Sequence, residues 1–187
     1  MSASHFLSLP TSTPVINPGV GEDPEQWFAI QTRARHEKVV EQRLRDKGVV
    51  TFLPLVKVER QWSDRRKIVD MPLFSCYVFA KFPAHNDHRL RVLVVDGVVK
   101  LVGSGGRGAP IPEAQIEAVE KLMQEQLPYS VYPFLKIGQR VRIRSGALTG
   151  VEGILLQRSG ERTLVVSIDA IQRSLAVRIE GYNLESL

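Results

Sequence analysis

Residues 137–153 read IGQRVRIRSGALTGVEG and specify a β-strand, a turn of small residues and the start of a second strand. From Arg140 to Arg144 basic and apolar residues alternate, which is typical of a strand with one buried face. Gly150 and Gly153 flank the turn that follows, and glycine accepts both positive φ and close backbone approach. The stretch therefore predicts two adjoining strands of a small β-structure, in which the glycines serve the backbone first.

The sequence on either side of this stretch extends the same domain. Downstream, short β-rich runs at 150–157, 163–168 and 175–179 are separated by turns, without a helical pattern between them. Four or five short strands within residues 134–187 predict a small all-β barrel. Upstream, residues 129–133 lie between helix and barrel and end on a proline, so they are expected to be a linker.

Residues 27–128 have a different pattern, in which strands and helices alternate. Predicted strands cover 27–32, 49–58, 68–71, 77–82 and 98–102, a charged hairpin tip covers 60–67, and helices cover 35–47, 87–95 and 113–126. The order β-α-β-β-β-α-β-α is that of an α+β fold of the split βαβ kind. We therefore expect a ferredoxin-like α/β sandwich followed by the barrel.

Residues 1–26 differ from both domains in composition. Ser, Thr, Gly and four prolines dominate, so this segment is expected to be a disordered leader, and it lacks the basic stretch of a secretory signal. No apolar run approaches the ~20 residues of a membrane helix, and a single cysteine, Cys76, excludes a disulfide framework and a multi-cysteine metal site. A cytoplasmic monomer without metal, cofactor or membrane contact is expected.

The formal net charge of +5 is distributed unevenly along the chain. Glu22, Asp23 and Glu25 are the charged residues of the leader, whereas residues 27–128 and 134–187 each carry an excess of lysine and arginine. Basic surfaces attract nucleic acids and other polyanions. The charge therefore indicates an anionic partner without identifying it.

Three segments together carry a resemblance to a known family. They are WFAIQT (27–32) followed by a basic helix, PLFSCYVFA (72–80), and the glycine-rich strand pair at 137–153. In this order and spacing they resemble the NusG family of transcription elongation and antitermination factors, which includes specialised paralogues such as RfaH. The resemblance implies a NusG N-terminal domain at 27–128 and a KOW barrel at 134–187, with Gly138, Gly146, Gly150 and Gly153 as the KOW fold glycines.

The resemblance also implies a site for RNA polymerase. Leu73, Phe74 and Tyr77 match an exposed hydrophobic patch that grips the clamp helices of the polymerase β′ subunit, and aromatic side chains suit such an interface. The alternative from the residues alone is that these side chains belong to the core. The family usually has Pro-Gly or Pro-Asn between the two aromatics, whereas this chain has Ser75-Cys76, so a different turn geometry is expected.

Two basic regions are candidates for contact with the DNA that polymerase holds. The region that opens the first helix would meet the non-template strand, and the hairpin tip would meet phosphates of upstream DNA. A solvated surface of salt-bridged charges is the alternative in both places. The candidate DNA-binding residues are Arg33, Arg35, His36 and Lys38 in the first region and Arg60, Arg65, Arg66 and Lys67 in the second.

Two further surfaces follow from the resemblance. His88 and Arg89, at the start of the second helix, match the area that faces the gate loop of the polymerase β subunit. In the barrel, Ile168, Ile171 and Arg173 match the surface that NusG proteins use for a small-subunit ribosomal protein or Rho. The aromatic contact of the family is replaced by Ile171.

These residues predict a transcription factor that binds one state of the polymerase better, bridges its DNA cleft and suppresses pausing or termination, as an operon-specific paralogue. One alternative is a general NusG that couples polymerase to Rho and the ribosome. Another is a ribosome-associated protein whose KOW barrel binds RNA. Catalysis by Cys76 with His36, His85 or His88 as a base has no surrounding signature, so an enzyme is not expected.

Overall fold

The computed structural model describes residues 24–61, 66–125, 128–132, 134–135, 138–158 and 161–187. Its helices are α1 (Glu37–Asp46), α2 (Asn86–Leu93) and α3 (Glu113–Gln124). The strands of the N-terminal domain are β1 (Glu25–Thr32), β2 (Val50–Phe52), β3 (Leu55–Gln61), β4 (Arg66–Pro72), β5 (Tyr77–Pro83), β6 (Val98–Leu101) and β7 (Pro110–Ile111). Those of the C-terminal domain are β8 (Tyr129–Tyr132), β9 (Gln139–Ile143), β10 (Glu152–Arg158), β11 (Glu161–Ile168), β12 (Arg173–Arg178) and β13 (Leu184–Ser186).

The N-terminal domain is built on an antiparallel sheet with the strand order β2-β5-β1-β6, and β7 also pairs with β1. This order is the one that a split βαβ sandwich requires, so the predicted ferredoxin-like fold is confirmed. Alternate residues of β1 enter different cores, because side chains of a strand point to opposite faces. Phe28 and Ile30 pack with α1 and α2, whereas Trp27 and Ala29 belong to the cluster that contains α3.

The predicted strand at 49–58 is two strands in the structure. β2 ends at Phe52 and joins the main sheet, while β3 begins at Leu55 and pairs with β4 in a separate two-stranded hairpin. Pro54 lies between them, and proline cannot donate a backbone hydrogen bond to a strand. The interruption lets the hairpin leave the sheet. Residues 62–65 at its tip, which include the candidate Arg65, lie outside the described residues.

The C-terminal domain is the predicted small all-β barrel. Its six strands pair antiparallel in the order β13-β9-β10-β11-β12-β8. The prediction that 129–133 is a linker is wrong for residues 129–132, which form β8 and pair with Ser174–Val177 of β12. The edge strand β12 has free backbone N–H and C=O groups, and residues 129–132 can form hydrogen bonds with them. Pro133 lies outside the described residues.

The start of the first strand also differs from the expectation. Glu25 and Gln26, assigned to the leader, belong to β1 and pair with Pro83 and Phe82 of β5. Pairing of their backbone with β5 explains the earlier start of the strand. Residues 1–23 lie outside the described residues, so the disordered leader stays a prediction.

The two domains pack against each other through α3. Ile116 and Val119 of this helix are fully buried in a cluster that contains both Trp27 of the sheet and Leu164 of the barrel. Residues 115, 118 and 121 recur at the spacing of one helical face, and this face is directed at the barrel. One hydrophobic core is therefore shared between domains that the sequence predicts as separate.

Candidate functional site

Residues 73–77, here named the aromatic turn, connect the hairpin to β5. The backbone N–H of Tyr77 donates to the carbonyl of Phe74 at 3.2 Å, which closes a four-residue β-turn. Cys76, the third residue of the turn, has φ +66°, whereas Ser75 is not among the residues with positive φ. A positive φ at this position alone is the mark of a type II turn, which glycine or asparagine favours. Ser75-Cys76 thus occupies a turn of the type that Pro-Gly favours, and the expected difference from the family stays a prediction.

The aromatic side chains of this turn differ in exposure. Phe74 is only 4% exposed and packs its ring against Phe79 in a T-shaped pair with 6.0 Å between centroids. Leu73 and Tyr77 are half-buried at the edge of the same cluster. The expectation of an exposed Phe74 is wrong for this arrangement, because the cluster it joins is the one shared by the sheet, α3 and the barrel. Tyr77 and Leu73 remain partly accessible.

Three hydrogen bonds fix the backbone of the aromatic turn. The Glu37 carboxylate accepts the N–H of Cys76 at 2.7 Å, and the Cys76 carbonyl accepts the N–H of Thr32 at 2.9 Å. The N–H of Leu73 donates to the carbonyl of Pro54 at 2.8 Å. Sequence reasoning missed Glu37. The available signal was an acidic residue at the first turn of a helix, which usually indicates only a favourable interaction with the helix dipole.

The contact between α3 and the barrel includes specific polar bonds. Gln115 donates to the Asp169 carboxylate at 3.0 Å and accepts the backbone N–H of Asp169 at 3.1 Å. One turn and a half along the helix, the Lys121 ammonium donates to the carbonyl of Thr149 at 2.9 Å. A cleft of about 400 Å³ lies beside the bonds between Gln115 and Asp169, with Ala118 on the helix side. These bonds connect α3 to the barrel at two places.

The barrel surface predicted to hold a partner lies partly inside this contact. Ile168 and Ile171 are 1% and 6% exposed and belong to the shared core, whereas Arg173 is exposed. Between them, Asp169–Ile171 forms a short 3-10 helix that contacts β7 and carries the bond to Gln115. The expectation that the two isoleucines form an accessible surface is wrong for this arrangement, because both are buried in the core shared by the sheet, α3 and the barrel.

The basic region at the start of α1 is partly neutralised within the domain. Arg33 and Arg43 both bind the carboxylate of Asp96, at 3.2 and 2.8 Å. The hydrogen bond from Arg43, followed by the charge of Arg33, holds the pKa of Asp96 below its usual value. Arg35 and Lys38 are exposed and have no ion pair within the described part of the chain. Those two are therefore the candidates of this region whose charge is not neutralised within the described residues.

His36 stands apart from its charged neighbours in this region. It is half-buried, and its Nδ1 lies 3.0 Å from the carbonyl of Ala34, so the ring is held against its own backbone. Of the four candidates at the start of α1, His36 is therefore the least available to a partner.

The hairpin brings basic side chains into direct opposition. Arg60 of β3 lies opposite Lys67 of β4, while Arg66 pairs with Glu59 at 3.6 Å. Like charges directly across a strand pair repel each other. A bound phosphate would relieve that repulsion. Within the described part of the hairpin, Arg60 and Lys67 form no ion pair, whereas Arg66 does.

The two gate-loop candidates at α2 are held differently. The guanidinium of Arg89 donates to the carbonyl of Gly106 at 2.7 Å and to the side chain of Asn86 at 3.2 Å. Its Nε is buried without a hydrogen-bond partner. Arg89 thus ties α2 to the glycine-rich loop, which leaves His88, half-buried beside it, as the more available of the two.

The four glycines of the 137–153 stretch meet distinct backbone demands. Gly138, Gly146 and Gly150 have positive φ, at +148°, +91° and +85°. Gly153 does not, but a Cβ there would lie 2.5 Å from the carbonyl oxygen of Val165 on the neighbouring strand. The close approach of the Val165 backbone therefore requires a residue without a side chain at position 153.

The described residues contain no group of three or more His, Cys, Asp or Glu side chains that could hold a metal ion. None of the helices within those ranges has the length and apolar character needed to span a membrane.

Comparisons with known proteins agree with the fold and the order of the motifs. The family model described as "Transcription termination factor nusG" matches residues 25–120, just over half of the chain. Proteins named transcription termination/antitermination protein NusG are similar over most of their length. The one from Borreliella burgdorferi is 26% identical over 86% of this chain and 98% of its own, and the one from Lactococcus lactis is 27% identical over 86% and 92%.

A solved structure described as "Domain interaction in Thermotoga maritima NusG" is similar in fold to this chain. It has a TM-score of 0.51 at 20% identity and covers 87% of this chain and 97% of its own.

Proposed function

Because the chain belongs to the NusG family of transcription factors, we propose that it binds RNA polymerase at the β′ clamp helices through the aromatic turn. The observation that carries this proposal is the construction of that turn. A strained left-handed residue, Cys76, is held by bonds from two different elements, and the turn carries the buried Phe74 and the partly accessible Tyr77 three residues apart. Strain that is over-determined by its surroundings is typical of binding sites.

Binding through Phe74 requires a change in the arrangement described above. Phe74 lies in a core that also contains residues of α3 and the barrel, and we propose that its ring becomes available when the barrel leaves α3. Polymerase would then bind the open arrangement better than the closed one and shift the equilibrium towards it. Separation would at the same time free the helix face that carries Gln115, Ala118 and Lys121.

The same separation would expose the barrel segment at 168–173. We therefore propose that polymerase and a barrel partner, a small-subunit ribosomal protein or Rho, favour the same open arrangement. Two ligands that favour one state raise each other's affinity by an equal factor. Arg173 is already exposed, and Asp169 would be released from Gln115.

Nucleic acid and the gate loop are proposed as secondary contacts. Arg35 and Lys38 would face the non-template strand, and Arg60 with Lys67 would hold a phosphate of upstream DNA. His88 would face the β gate loop. A factor that holds clamp and gate together keeps the polymerase cleft closed and suppresses pausing or termination. We propose an operon-specific paralogue, and a general NusG is the alternative within the family.

The reading as an RNA-binding barrel is less well supported by the charges. The exposed Arg142 and Arg144 are compensated, since Arg142 binds Glu152 of β10 and Arg144 binds Glu185 of β13. The carboxylate of Glu152 also lies 3.6 Å from the guanidinium of Arg140. A row of paired arginines offers less to an RNA backbone than the unpaired cations of the N-terminal domain do.

The test is the affinity of the full chain for core RNA polymerase. The variant carries Tyr77→Ala with Phe74→Leu, which keeps an apolar group in the core. A binding hot spot contributes about 2 kcal/mol or more, so a loss of about 30-fold or more is expected. Val131→Ala, an apolar residue exposed on β8, is the matched control and should bind like the unmodified chain. Equal affinity of both variants, with far-UV circular dichroism unchanged, would refute the proposed site.

A further inference from the structure

We propose that Glu37 is the positioning residue of the aromatic turn, and that its carboxylate selects the backbone conformation of the turn that carries Phe74 and Tyr77. Glu37 begins α1 and is 5% exposed. Among the described residues it is the only acidic or basic one in the buried class. A buried carboxylate is unfavourable unless it is hydrogen-bonded, so the bond to Cys76 identifies what it does.

Glu37 accepts its hydrogen bond from one particular peptide group. The N–H of Cys76 belongs to the peptide between Ser75 and Cys76, which is the central peptide of the turn. Turns of types I and II differ by a flip of this peptide, which moves φ of the third residue from about −90° to about +80°. The flip would turn the N–H away from α1. Glu37 can therefore accept it only in the conformation observed, with Cys76 at φ +66°.

The residues of the turn do not favour that conformation themselves. Proline at the second position and glycine at the third are the usual residues of a type II turn, and this chain has Ser75 and Cys76 there. A left-handed φ is unfavourable for a residue with a Cβ. A hydrogen bond to a carboxylate is about twice as strong as one between neutral groups. The side chain of Glu37, on a helix distant in the sequence, therefore supplies the preference for this turn conformation that Ser75 and Cys76 lack.

The carbonyl group of Cys76 is hydrogen-bonded as well. Its carbonyl accepts the N–H of Thr32 at the end of β1, so the residue is fixed by a strand on one side and by α1 on the other. Without Glu37, the turn keeps the strand bond and loses the helix bond. The aromatic pair would then populate more than one arrangement, and a less preorganised site binds more weakly.

The experiment uses Glu37→Ala and Glu37→Gln in the full chain, each alone and together with Ser75→Pro/Cys76→Gly. The amide of Cys76, or of Gly at 76, is followed by ¹H–¹⁵N spectra and hydrogen exchange, without polymerase. We expect exchange at this amide to rise about tenfold or more in Glu37→Ala, because a bonded N–H becomes free. Glu37→Gln keeps an acceptor oxygen at the same place and should show a smaller change.

Affinity for core polymerase is the second readout, and this part of the inference rests on the proposed function. Glu37→Ala should weaken binding about tenfold in the natural turn and by less than threefold in the Pro-Gly background, where the turn holds itself. Equal losses in both backgrounds would overturn the positioning role, since Glu37 would then act through the stability of α1. Unchanged exchange at residue 76 would overturn it as well.

Failure of this inference and failure of the proposed function give different results. If the Phe74/Tyr77 variant binds polymerase normally, the proposed site is wrong, while the exchange measurement at residue 76 still decides what Glu37 does to the turn. If that variant loses binding and Glu37→Ala does not, the site stands and the positioning role is refuted. Where Glu37→Ala fails to fold, Glu37→Gln compared between the two backgrounds supplies the same contrast.

Discussion

Removal of the Gln115 side chain should open the two domains. Gln115→Ala eliminates two hydrogen bonds to Asp169, of 3.0 and 3.1 Å, of which one is made to a carboxylate. Charge-assisted and neutral bonds contribute about 1.5 and 0.5 kcal/mol at the lower ends of their ranges, which apply because Asp169 is exposed. A loss of about 2 kcal/mol shifts the equilibrium about 30-fold towards the open arrangement. Alanine favours a helix, so α3 itself should not be weakened.

The assay is ¹⁵N relaxation of the full chain in solution. Domains that pack together tumble with one rotational correlation time, whereas separated domains of about 12 and 6 kDa tumble with two shorter ones. Gln115→Ala should move the two domains towards separate values and raise the apparent affinity for polymerase, since more of the chain is competent to bind. Gln124→Ala is the matched control, because Gln124 is exposed at the end of the same helix.

The result that would refute this reasoning is specific. If Gln115→Ala and Gln124→Ala leave the correlation times equal to those of the unmodified chain, and polymerase affinity is also unchanged, then the bonds to Asp169 do not hold the barrel on α3. Opening in Gln115→Ala without any gain in polymerase affinity would show instead that the barrel does not cover the binding surface.

Three further changes test the account of the fold. Cys76→Gly should raise the free energy of unfolding by about 1 kcal/mol in urea titrations, because glycine accepts φ +66° freely; a decrease would contradict the strain. Gly153→Ala should lower the free energy of unfolding by about 2 kcal/mol, since its Cβ would meet the carbonyl of Val165 at 2.5 Å, and an unchanged urea midpoint would contradict this. The hydrogen bond from Lys81 lowers the pKa of Glu113, so the stability that this pair contributes is present above about pH 4.5 and is lost as pH falls through the lowered value. Glu113→Gln should remove that part of the acid dependence, and an identical acid limb in both proteins would argue against the pair.

Local pattern was sufficient for most elements of the chain. The spacing of Val40 and Leu44 in α1, and of Ile116 and Val119 in α3, predicts each helix, because a buried stripe must recur at 3.6 residues. The alternation from Arg140 onward likewise predicts β9. Together with the strand order along the chain, these patterns restrict the N-terminal domain to a split βαβ sheet.

Features that depend on distant partners were not predictable in this way. Phe74 and Ile171 carry no local sign of burial, and both belong to a core that joins residues of the sheet, α3 and the barrel. Strand β8 exists because β12 has a free edge about 45 residues further along the chain. Glu37 likewise needs the turn 39 residues away to explain its burial. In each case the decisive contact spans the sequence, so a window of neighbouring residues contains no trace of it.

A photo-crosslinking amino acid at Tyr77 of the full chain, mixed with RNA polymerase, tests the central claim most directly. The half-buried position of Tyr77 at the edge of the aromatic turn leaves room for such a substitution. The account predicts a covalent product with the β′ subunit that maps to the clamp helices, and none when the same group replaces Val131 on β8. A product with another subunit, or equal products from both positions, would contradict binding through the aromatic turn.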